Sequence, residues 1–288
     1  MIPQTGMTRA LLIAAAVGAT LAACNRDQDR QAPAAANAGQ PAAAVTTAEA
    51  AAPMAYETKT PFANVSLTLP VAIKSQGDLH AALYAEEVRK LRQFVEGAQA
   101  DRTEAGGDAG LPPFENAVTI TGAAETGKLL SLKRVAFDYS GGAHPNTLTS
   151  GILWDKALKR RIGFSDLFKR GADTSVLDQA LCSAINTAKR ARSPGSAGLT
   201  LGGAGADWSC PKASATEFVL TPGDQSGKAA GLTFLIGPYQ VGPYSDGAYE
   251  IAIPASAFRS LLSTPYIGEF GGNLAKAGDV TPTATPAI

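Results

Sequence analysis

The amino-acid sequence predicts an α+β protein in which antiparallel β-hairpins pack with two long helices and one short helix, in two consecutive modules. Short segments rich in β-branched and aromatic residues follow one another through connections too brief for a parallel crossover, which needs about a dozen residues or more. Two longer stretches instead repeat their apolar residues at helical spacing. A doubly wound parallel sheet is disfavoured by the same short connections.

The N-terminal stretch from Met7 to Cys24 has a basic residue, an apolar run and a small-residue cleavage site, in the order of a secretory signal. The apolar run from Ala10 to Ala23 is shorter than the roughly 20 residues of a spanning helix. Leu21-Ala22-Ala23-Cys24 looks like the lipobox of bacterial lipoproteins, so residues 1–23 read as signal peptide and Cys24 as the lipidated first residue. Asn25 stands where an Asp commonly signals inner-membrane retention, which implies the periplasmic face of the outer membrane as the address. The chain has three cysteines; with Cys24 lipidated, Cys182 and Cys210 remain as an even pair and are predicted to form a disulfide.

From Asn25 to about Ala55 the sequence is Ala-rich with scattered Pro, Gln, Asn and Gly and cannot build a core, so residues 24–55 read as a lipidated tether. A coil of that length would span on the order of 30 Å. The first module, residues 56–170, begins with a strand at Phe62–Leu69 and a helix from about Gln76 to Gly97. Ser75 and Asp78 have capping-box spacing; Leu83, Tyr84, Val88, Leu91 and Val95 fall on one arc, with Arg89, Lys90, Arg92 and Glu96 opposite. Strands at Asn116–Thr121, Leu129–Ser140 and Thr147–Asp155 form a meander, and the KALKRR run at Lys156–Arg161 reads as a solvated turn.

The second module, residues 171–273, opens with a helix at Ser175–Arg192, whose cations Lys189, Arg190 and Arg192 favour its C-terminal dipole end. Strands at Glu217–Thr221, Leu232–Ile236 and Ala248–Ile253 and a short helix near Ala255–Leu262 follow, and residues 274–288 form a Pro/Thr-rich tail expected to be loose.

Net charge is zero, and no basic stripe with interleaved aromatics is present, so no nucleic-acid partner is expected. Thr121-Gly122 to Gly127-Lys128 satisfies G-x-x-x-x-G-K, but Leu129 replaces the Mg²⁺-binding hydroxyl and a strand follows instead of a helix, so the segment reads as a β-turn and no nucleotide is expected. No G-x-S-x-G turn exists, and adjacent Glu86 and Glu87 point about 100° apart on a helix. The two histidines, His80 and His144, lack the convergent partners a metal site or general base requires. These absences predict a protein that is not an enzyme and carries neither cofactor nor metal.

Two loops stand out. Gly141-Gly-Ala-His144-Pro-Asn146 is a hairpin tip whose glycines supply positive φ; its histidine either bonds the hairpin backbone or meets a partner. Gly237-Pro-Tyr-Gln-Val-Gly-Pro-Tyr244-Ser-Asp-Gly247 repeats Gly-Pro-Tyr, and its tyrosines serve either as pre-ordered recognition anchors or as a cover folded on the sheet. His80 is expected to pack on the Tyr84 ring one helical turn away.

With both loops in view, roughly Phe62 to Phe270 resembles a family of exported domains found in the lysozyme-sensing anti-sigma factor RsiV and ahead of the catalytic domain of the peptidoglycan deacetylase PdaC. In the first, PdaC-like module the likeness is carried by Tyr139-Ser-Gly-Gly-Ala-His-Pro-Asn146 and Ile162-Gly-Phe-Ser-Asp-Leu-Phe168. In the second, RsiV-like module it is carried by Leu232-Thr-Phe, Tyr239-Gln-Val-Gly-Pro-Tyr-Ser-Asp-Gly247 and Ile251-Ala-Ile-Pro254. Pro145 departs from the pattern, where a Gly is expected, and stiffens the loop. The resemblance implies an α+β fold and a non-catalytic, lipid-anchored binding module for a lysozyme-like protein or peptidoglycan. Its contacts would be Tyr139, His144, Asn146, Tyr239, Pro243 and Tyr244. The alternatives are an accessory subunit or enzyme of peptidoglycan modification, and a purely structural envelope lipoprotein; the latter is favoured if the two loops lie at opposite ends of the fold.

Overall fold

Alternation of apolar residues builds the first sheet, as the burial of Ala63, Val65 and Leu67 between exposed or half-buried neighbours in β2 illustrates. A computed structural model of the chain describes residues 51–106, 112–203 and 207–282. The signal sequence, Cys24, the tether to residue 50 and the end of the tail lie outside the described residues. Six strands follow in chain order across this sheet: β1 (Ala55–Lys59), β2 (Ala63–Thr68), β3 (Phe114–Glu125), β4 (Leu129–Tyr139), β5 (Asn146–Asp155) and β6 (Arg160–Ile162). The protein is α+β, with antiparallel pairing throughout this sheet except between β2 and β3.

That parallel pair departs from a pure meander, and its cause is α1 (Gly77–Glu104), a helix long enough to carry the chain back across the sheet. Its buried Leu79, Leu83, Val88, Leu91 and Ala98 pack on Val65, Leu67, Val118, Ile120, Leu132 and Trp154. The capping box expected from Ser75 and Asp78 does not form: Gln76 is the N-cap, and the Ser75 hydroxyl donates to Ala72 O at 3.0 Å. His80 is buried as a structural residue, but its Nε2 lies 3.1 Å from Pro53 O, a partner the Tyr84 expectation missed. Glu87 accepts two hydrogen bonds from Arg134 of β4, at 2.9 and 2.8 Å, tying helix to sheet.

Two strands go beyond the sequence expectation. β1 pairs with β2 where no strand is expected, starting at Ala55, the last residue read as tether, and Arg160–Ile162 pairs with β5 although Arg160 and Arg161 belong to the KALKRR run that reads as a turn. Asp155 creates the latter hairpin: its Oδ1 accepts from the Ala157 and Leu158 amides at 2.9 and 2.8 Å.

After a single helical turn, α2 (Phe164–Leu167), comes α3 (Ser175–Arg192), with the predicted bounds. It buries Leu177, Leu181, Ile185 and Ala188 against the second sheet, whose order is β10 (Gly278–Asp279), β9 (Tyr249–Pro254), β8 (Ala229–Ile236), β7 (Glu217–Pro222), all antiparallel. Cys182 and Cys210 form a disulfide with Cα atoms 5.3 Å apart, joining α3 to the segment before β7. The expected short helix at Ala255–Leu262 is instead two 3₁₀ turns, Ala255–Ala257 and Arg259–Leu261, with Phe258 buried between them. Within the tail expected to be loose, β10 pairs with β9, Val280 N donates to Glu250 O at 2.8 Å, and Arg192 grips Asp279 with two bonds of 3.0 Å. Backbone pairing and one cation hold this segment, neither of which a scarcity of apolar residues reveals.

The two sheets touch where β7 passes over β3, β4 and β5. Gly151 makes this possible, because a Cβ there would stand 1.8 Å from Phe218 O. Gly151 N donates to Glu217 Oε2 at 2.9 Å and Leu220 N to Ser131 Oγ at 2.9 Å, while Lys133 of β4 pairs with Glu250 of β9 at 2.9 Å.

Candidate functional site: two loops joined through aromatic rings

The first loop is the β4–β5 hairpin tip. Gly141 and Gly142 take φ of +94° and +100°, which side-chain-bearing residues rarely adopt. The Tyr139 hydroxyl donates to Gly142 O at 3.1 Å, and Asn146 Nδ2 donates to Asp138 Oδ1 at 3.2 Å. The hairpin thus fastens itself from both strands and leaves His144 exposed at its tip.

The second loop joins β8 to β9 and is fixed from beneath by α3. Lys189, itself buried, donates to Val241 O and to Asp246 Oδ2, both at 2.7 Å. Arg192 donates to Asp246 O and Ala248 O at 3.3 and 2.7 Å and lies 3.8 Å over the Tyr249 ring. Gly242 is required by this arrangement, since a Cβ would meet Asp246 Oδ2 at 2.2 Å and Lys189 Nζ at 2.7 Å. Of the cations at the end of α3, which the sequence suggests as partners of the helix dipole, Lys189 and Arg192 clamp this loop, while Arg190 turns to Thr187 of its own helix.

Held in this way, the two loops meet. The His144 and Tyr244 rings stack with centroids 3.8 Å apart and planes 16° apart, and the Tyr244 hydroxyl donates to Pro145 O at 3.0 Å. His144 Nδ1 faces Pro145 O at 3.1 Å; a carbonyl only accepts, so that contact places the imidazole proton on Nδ1 and leaves Nε2 to accept from the Tyr239 hydroxyl at 3.4 Å. Tyr239 has a positive φ of 66° and is 58% exposed, its ring 5.6 Å from that of Tyr244. Pro243 is exposed beside them. His144, Tyr239 and Tyr244 therefore form one cluster, whereas Tyr139 and Asn146 stay on the first hairpin, bonded to their own strand neighbours. Lys189, Asp246 and Arg192 are supporting residues that sequence reasoning did not assign to the site, and Pro145, read there only as stiffening its loop, supplies the carbonyl that the Tyr244 hydroxyl bonds.

A stack of this kind offers ring faces and edges together with one accessible phenol. Among the described residues no group of three or more His, Cys, Asp or Glu side chains is placed to hold a metal ion. The segment expected to be a β-turn is mostly strand: Gly122–Glu125 end β3, with a register shift between Gly122 and Ala124, and only residues 126–128 turn into β4; Lys128 N donates to Glu269 Oε2 at 2.8 Å and Lys128 Nζ to Pro265 O at 2.9 Å. Among the described residues no helix is long and apolar enough to cross a membrane.

Fold and site together define a two-sheet α+β domain that presents an aromatic cluster on paired loops. Residues 165–256, which include the second loop but not the first, match the family model described as "Protein of unknown function (DUF3298)". The fold is similar to that of a DUF3298 family protein from Pseudomonas aeruginosa PAO1, at TM-score 0.52 and 15% identity over 76% of this chain and 94% of that one. A member of the same family from Bacteroides fragilis NCTC 9343 aligns at TM-score 0.46 and 19% identity, over 72% of this chain and 86% of that one. No curated protein matches the chain.

Proposed function

We infer that the protein is a non-catalytic, lipid-anchored envelope module that binds a lysozyme-like protein or peptidoglycan through the joined loops. One observation carries this reading: two segments about a hundred residues apart are each held in place, the first by the Tyr139 and Asn146 hydrogen bonds and the second by Lys189 and Arg192, only to present His144, Tyr239, Pro243 and Tyr244 at the surface. Ordering aromatic side chains before contact lowers the entropy cost of binding. Their meeting also argues against a purely structural role, for which loops at opposite ends of the fold would be the signature. The resemblance of the loop motifs to those of RsiV and PdaC domains supports the choice of ligand, and the lipobox-like Leu21–Cys24 supports the address.

The test is retention of the full chain on immobilised lysozyme and on purified sacculi, with Tyr239→Ala, Tyr244→Ala and the double variant. Retention on one of the two supports should fall by about tenfold or more in the double variant, as hot-spot aromatics lose, with the melting temperature little changed for Tyr239→Ala. Unchanged retention on both supports, or turnover of sacculi by the purified chain, would falsify the reading.

A further inference from the structure

Under the tip of the first loop, between the C-terminal turn of α1 and the start of β3, lies a cleft of about 540 Å³. Its lining includes Asp101, Arg102, Ala105, Phe114, Tyr139 and Gly142. Arg102 is only 8% exposed, so its guanidinium has been taken out of water. What it receives in return is small. One N–H group donates to Pro112 O, the Phe114 ring lies 4.7 Å below the guanidinium carbon, and Nε has no hydrogen-bond partner among the described residues.

Among the described residues none of the ion pairs includes Arg102. Asp101 lines the same cleft but is its neighbour in sequence; adjacent helical residues point about 100° apart and the two form no ion pair, so an incoming acid would sit on the Arg102 side, away from Asp101. A guanidinium stays protonated in any protein environment, so burial cannot neutralise it as it could a lysine. A buried charge without a counter-charge is costly, and a carboxylate, whose two oxygens match the guanidinium fork, is the group that best relieves it. Around this cation the cleft is walled by Ala105, Phe114 and the Tyr139 ring, which suit an apolar body attached to the acid. The Tyr139 hydroxyl bond to Gly142 O makes the cleft wall and the His144 loop one structure.

We propose that this cleft is a carboxylate subsite that seats an acid group of peptidoglycan on Arg102, with the adjoining apolar part against Phe114 and Tyr139. This rests on the binding role given above, and extends the contact surface from the aromatic cluster to the far side of the same hairpin. Two groups derived from that polymer carry the required chemistry: the lactyl acid of a muramic sugar from which the stem peptide has been removed, and the C-terminal acid of the stem peptide.

Calorimetric titration of the full chain with N-acetylmuramic acid and with D-alanyl-D-alanine, each beside its carboxamide, tests the proposal. One acid should bind at least about tenfold more tightly than its amide, as hydrogen bonds to a charged group require, and the acid so preferred identifies the source. Arg102→Gln should abolish that preference. Ala105→Trp, at an exposed position at the end of α1 where the fold is not at stake, should weaken acid and amide alike by narrowing the cleft. Equal binding of acid and amide, no binding of either acid, a preference that survives Arg102→Gln, or indifference to Ala105→Trp would each overturn the proposal. Retention of Tyr239→Ala and Tyr244→Ala chains on sacculi and lysozyme reads the aromatic cluster separately, so failure of the subsite is distinguishable from failure of the binding role.

Discussion

Gly242 and Lys189 show how single side chains set the candidate site. Replacing Gly242 by Ala drives a methyl group into the Lys189–Asp246 pair, so Gly242→Ala should cost about 1–3 kcal/mol in stability and weaken ligand retention; equilibrium urea denaturation with a parallel pull-down checks both. Lys189→Met removes the donor to Val241 O and strands Asp246, itself partly buried; losing one partner of a buried pair typically costs about 3 kcal/mol or more. Asp155 and Tyr266 give a pH signature. Burial and then the Asp155 hydrogen bond push the Tyr266 phenol up to about 12. Burial raises the Asp155 carboxyl, but the Leu158 amide, the Tyr266 hydroxyl and the Ala157 amide outweigh it and hold it below the ordinary range. The phenol stays protonated longer in the folded state, so its stabilisation is complete below its unfolded value near 10 and is lost as pH rises toward about 12. The carboxylate contribution is present above the ordinary Asp value and is lost as pH falls through the depressed one. Tyr266→Phe should cost about 1–2 kcal/mol at neutral pH and flatten the alkaline limb of the stability curve, measured by denaturant titration across pH.

Secondary elements differ in how openly the chain declares them. α3 was legible in its bounds, because Leu177, Leu181, Ile185 and Ala188 repeat at helical spacing. α1 runs past Gly97 because its packing on β2 and β3 outweighs the roughly 1 kcal/mol that an interior glycine costs. β1 and β10 stayed hidden because an edge strand is held by backbone bonds to its neighbour, which carry no side-chain periodicity. The paired cysteines could be read from parity alone, and their loop of 28 residues should contribute about 3.5 kcal/mol on the chain-entropy account. Replacing both by Ser should therefore lower the melting temperature by roughly 10 °C, measured by calorimetry under oxidising conditions; no change would mean that the α3–β9 contacts alone fix the helix.

In the molecule as a whole, the site exists only because both sheets are in place. Each loop was visible in the sequence, since doubled glycines, His-Pro and repeated Gly-Pro-Tyr are rare combinations. Their contact was not, because it depends on how β7 crosses the first sheet and on where α3 sets its cations, and both follow from contacts between residues far apart along the chain. The Arg102 cleft was equally hidden, for nothing marks an arginine at a helix end as deprived of water. Gly151 reports on that assembly: a side chain there would collide with the Phe218 carbonyl, and Gly151→Ala should cost upwards of about 3 kcal/mol and pull the loops apart, seen as loss of retention together with loss of stability.

That backbone-on-backbone seam has a kinetic corollary. Its partners come from different sheets, so neither can grip until the other has been woven, and the contact forms late, after the costly loop closures are complete. Stopped-flow measurements on Gly151→Ala should find refolding nearly as fast as in the parent and escape from the native basin greatly accelerated. The aromatic pair would then be the last part of the protein to appear and the first to come undone.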